Sequence, residues 1–188
     1  MKRDTRTALM DFAEYAARSR GFDGFSYADM AKAIGIQKAS IHHHFPTKAN
    51  LSEALIERYQ TNLRCSLAEM DTAHATGGER LKALIALYRA ALNDGHTVCL
   101  CVAFSISRES LSEAVIDRVG AVRKIMLRWI AATFKLGQRD GSISAVNNPV
   151  LEAHATLAML EGAHLSARIE EDPAAFDLVT DLLSTRCQ

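Results

Sequence analysis

The chain has 188 residues, 48% hydrophobic and 23% charged, with 22 Lys/Arg against 22 Asp/Glu. That balance excludes a disordered polyelectrolyte, and no apolar run reaches the roughly 18–20 residues that a membrane span requires. The first twenty residues are charged and amphipathic with no signal sequence, so the four cysteines (Cys65, Cys99, Cys101, Cys187) are expected to be thiols in a reducing cytoplasm.

Low proline and abundant Ala and Leu predict an all-α protein. Helical spacing begins near Arg3, where Leu9, Phe12, Ala13 and Ala16 mark one apolar stripe, and Gly21 is placed to end that helix. "SYAD" at 26–29 is a capping-box pattern opening a short second helix, with Gly35 supplying a turn that needs positive φ. A third short helix spans about 37–44 and stops before Pro46. Thr47 is placed to cap a long helix over about 48–72, and "HATGGE" at 74–79 breaks the pattern. Helices then read over about 79–93, 99–109 and 112–136, followed by a connector at 137–149. Pro149 and Pro173 suit the first turns of the last two, which run to about 170 and 185. Nine helices result, with a division into 1–47 and 48–188.

"KASIHHHFPTK" at 38–48 invites a metal reading that geometry refuses. Consecutive helical side chains diverge by about 100°, so His42, His43 and His44 do not converge on one ion. No metal, cofactor or catalytic set is expected. Met30, Ile34, Ile36 and Ile41 instead sit at the spacings that close a helix-turn-helix. With Ile41 and Phe45 buried, Gln37, Lys38, Ser40, His42 and His43 face outward, as donors and acceptors suited to phosphates and base edges. Charge agrees: residues 1–50 hold eight Lys/Arg and five Asp/Glu, a basic front on an acidic body.

"FSYADMAKAIGIQKASIHHHFPTKANL" resembles the DNA-binding segment of the TetR family of bacterial transcriptional repressors. The match lies in Ser26, Ala31, Gly35, "IHHHF" and Lys48, and it is specific over about residues 8–55. His42 stands where many members carry Tyr, which makes the charge there depend on pH. The resemblance implies a nine-helix fold in which residues 1–47 bind an operator as double-stranded DNA and 48–188 sense an effector and form a homodimer. It places Ser26, Tyr27, His42 and Lys48 on phosphates, and Gln37, Lys38, Ser40 and His43 near base edges. Lys2, Arg3 and Arg6 are further candidates for the DNA backbone. It implies pairing through the last two helices, with Leu157, Leu160, Ala163, His164, Ala167 and Leu182 at the interface. It also implies an effector space among the middle helices, lined by Leu84, Tyr88, Phe104, Val122, Met126, Trp129 and His154.

"HTVCLCVAF" at 96–104 puts Cys99 and Cys101 at a helix start, whose amides favour a thiolate. The effector is therefore expected to be a small hydrophobic or electrophilic molecule, with Cys99 and Cys101 either reactive or simply core residues. Two rivals remain: a cysteine-based enzyme, for which nothing supplies an oriented base, and a helical interaction module without DNA activity.

Overall fold

The computed structural model describes residues 4–188; Lys2 and Arg3 lie outside them. Nine α-helices occur among the described residues, with no strand beyond a single antiparallel bridge between Ile143 and Cys187. They are α1 (Thr5–Arg20), α2 (Tyr27–Ile34), α3 (Lys38–His44), α4 (Lys48–Ala73), α5 (Gly77–Ala91), α6 (Leu100–Ile106), α7 (Glu113–Asp140), α8 (Pro149–Glu170) and α9 (Ala174–Ser184). No helix among the described residues is long and apolar enough to cross a membrane.

Local chemistry sets most boundaries. Asp4 caps α1, whose buried stripe is Leu9, Met10, Ala13, Ala16 and Ala17. Ser26 and Asp29 form the reciprocal capping box of α2, and Gly35 closes it at φ 75° and ψ 34°. The Thr47 hydroxyl accepts from Asn50 N–H at 3.1 Å at the start of α4. Thr76 and Glu79 form a second capping box. This box starts α5 at Gly77, two residues before the expected Glu79, because the cap outweighs the poor propensity of two glycines. The expected helix over 99–109 divides into α6 and a 3₁₀ turn at Arg108–Ser110. α7 runs to Asp140 rather than Leu136, straight through Gly137. A Cβ at Gly137 would strike the Ile143 side chain, so the glycine here serves close packing rather than a stop.

Two compact units are present. The first joins the chain up to Thr61 with Leu100–Gly120, and the second joins Asn62–Cys99 with Ala121–Gln188. In the first, the rings of Phe22 and Phe25 meet edge-on at 5.7 Å, and those of Phe22 and Phe104 at 5.3 Å. Arg58 on α4 donates to Asp11 at 2.7 Å and Glu14 at 2.6 Å on α1, tying the two helices together. In the second unit α9 packs on α8 and α5. Arg186 clasps Glu152 through both terminal nitrogens at 2.9 Å and reaches the carbonyls of Ser144 and Ala145. This fastens the last residues to the α7–α8 connector.

Candidate nucleic-acid interface and sensing half

Seven residues make α3, and two buried neighbours decide its orientation. Ile41 is 0% exposed and Phe45, just past its end, 1%. The opposite side is therefore forced outward, and Gln37, Lys38, Ser40, His42 and His43 are all exposed. His44 is half-buried, its ring edge-on to His43 at 5.4 Å. Ser26 is exposed at the start of α2. Among the described residues no three His, Cys, Asp or Glu side chains gather where they could hold a metal.

Three residues expected to face DNA are committed elsewhere. The Tyr27 hydroxyl donates to the carbonyl of Phe45 or Thr47, at 2.9 and 2.7 Å, and burial pushes its pKa up to about 12. It braces the end of α3 rather than presenting a donor to phosphate. The Lys48 ammonium donates to Phe22 O at 2.6 Å and lies 4.6 and 4.4 Å from the ring centres of Phe22 and Phe25. Partial burial lowers its pKa. It fastens α4 to the 3₁₀ turn at Phe22–Gly24, a cation–π role that sequence spacing does not reveal. Arg6 lies over the Phe45 ring, 5.2 Å from its centre.

In the second unit, His164 on α8 is fully buried. Its Nδ1 accepts from the Cys99 amide at 3.0 Å, so Nε2 carries the proton and donates to Tyr88 O at 2.9 Å. One neutral ring thereby joins α5, α8 and the segment leading into α6. Cys99 and Cys101 are 5% and 9% exposed. The expected effector residues are not brought together. Phe104 packs on Phe22 in the first unit. Tyr88 lies edge-on to His164 at 5.2 Å, and Met126 is buried on α7. Trp129, expected to line the effector space, is half-buried and donates to Asp71 at 3.1 Å. His154 is exposed on α8. An open groove of about 720 Å³ lies instead between α4 and α5, lined by Ser66, Met70, Lys82 and Leu87 among others and by none of the expected residues.

The expected pairing surface is also corrected. Leu157, Leu160, Ala163, His164 and Ala167 are each no more than 1% exposed within a single protomer, so they form its core and not a surface. α8 is apolar on nearly every side, so sequence alone did not separate its buried side from its exposed one. The exposed side carries Leu151, Ala155, Ala158, Gly162, Leu165 and Ile169, at alternating spacings of four and three. On α9, Leu178 and Leu182 continue it at 78% and 65% exposure. The four-three spacing was readable in the sequence and was the signal to use.

Comparison with known proteins accounts for both halves. The profile described as "Bacterial regulatory proteins, tetR family" matches residues 9–55. A second, "Tetracyclin repressor-like, C-terminal domain", matches residues 77–183. The chain is 24% identical over 171 residues to the HTH-type transcriptional repressor NemR of Escherichia coli strain K12, covering 88% of this chain and 85% of that one. It is 28% identical over 176 residues to the HTH-type transcriptional repressor DhaR of Mycobacterium sp. strain GP1, covering 92% and 86%. A TetR-family transcriptional regulator from Agrobacterium tumefaciens superposes with a TM-score of 0.90 at 29% identity, over 97% of each chain. The chain belongs to the TetR family of bacterial regulatory proteins and is a DNA-binding transcriptional regulator.

Proposed function

We propose that this regulator represses transcription as a two-fold dimer, docking one α3 into each half of a pseudo-palindromic operator and releasing it when an effector binds. The observation that carries the reading is the outward polar face of α3, fixed by the burial of Ile41 and Phe45. Residues 1–47 supply the DNA contacts, and 48–188 sense and pair. Lys38, Ser40, Gln37 and His43 address base edges, while His42 and Ser26 address phosphates. The two-fold axis runs beside the exposed side of α8 and α9, which makes half-sites about one helical turn or more apart. The regulator works in the cytoplasm, where the operator is, and catalyses no reaction.

Lys38→Ala combined with His42→Ala tests this. Operator affinity at about pH 5.5 is expected to fall at least about 1,000-fold, because two contacts worth about 1–3 kcal/mol each are lost twice in a dimer. Residual binding should also lose part of its salt dependence. Helicity and melting should stay unchanged, since both side chains are exposed. A double variant that binds selected duplexes as tightly as the parent would sink the assignment.

The effector is a small hydrophobic or electrophilic molecule acting on the second unit. The chain passes between units at three points: within α4, at Cys99–Leu100 and within α7. A coupling of about 1–3 kcal/mol changes operator affinity about 5–150-fold. Cys99 belongs to the second unit, where an adduct would disturb the hydrogen bond that its amide donates to His164. Serine at both positions should abolish release by thiol-reactive carbonyl compounds in a gel-shift titration while leaving operator affinity intact. An unaltered response would assign both thiols to the core alone.

A further inference from the structure

We infer that His42 makes operator binding proton-coupled, because its ring is fixed in the one tautomer that repels phosphate until a second proton arrives. Its Nδ1 lies 3.1 Å from Pro46 O. A carbonyl only accepts, so Nδ1 must carry the hydrogen of the neutral ring and Nε2 must carry the lone pair. The ring is held there by edge-on contact with Tyr27 at 5.1 Å. The side chain is exposed on the side of α3 that carries Lys38 and His43. A lone pair aimed at a phosphate oxygen opposes two acceptors. Protonation at Nε2 replaces that with a charge-assisted donor while leaving the bond to Pro46 O in place.

The groups around His42 are engaged elsewhere. From α2 it meets the Tyr27 phenol, whose proton is held by the Phe45 and Thr47 carbonyls. From α4, the Lys48 ammonium is engaged at Phe22 O. Asp29 on α2 is taken up by Ser26. On its own helix, Lys38 is one turn away. His43 contacts His44 and has no backbone carbonyl selecting its tautomer among the hydrogen bonds described.

The inference rests on the DNA-binding reading above, and its test keeps the two apart. Duplexes selected by the wild-type chain from a random-sequence pool serve as probe, with affinity measured by fluorescence anisotropy at fixed salt. Binding should be about 10- to 100-fold tighter at about pH 5.5 than at about pH 8. It should also take up protons, read by calorimetry in buffers of different ionisation heat. His42→Gln offers the same neutral donor at every pH, so it should flatten the profile; His43→Gln should keep the slope. Nitrogen-15 spectra of the free protein should show His42 protonated on Nδ1 alone at about pH 8. Specific binding with a flat profile, an unchanged slope in His42→Gln, or the opposite tautomer would each overturn the inference. Failure to select any duplex at any pH would overturn the DNA-binding reading and this inference with it.

Discussion

Gly77→Ala is expected to lower unfolding stability by about 3–5 kcal/mol, more than any exposed substitution in this chain. A Cβ on Gly77 would fall within the backbone of Gly137 and lie 2.6 Å from Thr133 O. Both belong to α7, so no side-chain rotation relieves the clash and one helix must move. That movement carries further losses. The Gly77 amide donates to Asp140 at 2.9 Å, and the buried Gly78 amide donates to the Ser142 hydroxyl at 2.8 Å. Both bonds hold the start of α5 against the end of α7. Gly120→Ala is the control: it lies in α7 with nothing within 4 Å of an added Cβ. There alanine should be neutral or stabilising by about 0.5–1 kcal/mol. Urea unfolding followed by circular dichroism measures both. Equal midpoints for the two variants would contradict the packing described.

The contrast between those two glycines shows where sequence reading stops. Gly35 announced its role because a turn demanding positive φ sits between the capped α2 and the short α3, and those signals are local. Gly137 resembled the same signal and marked no end, since its reason lies in Ile143. The helix-turn-helix was legible for the same cause as Gly35: Ser26, Asp29, Gly35 and Pro46 act within a few residues of themselves. The exposed face of α3 followed once Ile41 and Phe45 were placed inside. Tyr27 and Lys48 were less legible because phenol and ammonium suit phosphate and a protein carbonyl equally well in the abstract. Only the carbonyls of Phe45, Thr47 and Phe22, supplied by folding, commit them inward. The effector residues were the least legible. Tyr88, Phe104 and Met126 are apolar enough to line a cavity, but that composition also describes a core, and a core is where they lie.

Leu182→Glu combined with Leu165→Glu is expected to turn the dimer into a folded monomer. Leu182 is 65% and Leu165 41% exposed in the protomer, so neither supports the core of a single chain. In a two-fold interface each substitution acts twice. Fully burying one exposed leucine is worth about 1.5–3 kcal/mol, and these two are already partly buried in the protomer, so four losses give about 3–6 kcal/mol before the added charge repulsion. Dimerisation should therefore weaken at least about 100-fold, raising the monomer fraction at micromolar concentration in sedimentation velocity. Operator affinity should fall steeply as well, because the second α3 no longer docks at the high effective concentration that the first provides. Leu160→Glu separates pairing from folding on the same helix. Leu160 is 0% exposed, and a carboxylate there should unfold the second unit rather than split the dimer. Two outcomes would exclude the exposed side of α8 and α9 as the pairing surface: a dimer that survives Glu at 165 and 182, or a Leu160→Glu chain that stays folded as a monomer. Either would send the search for the two-fold axis to another face.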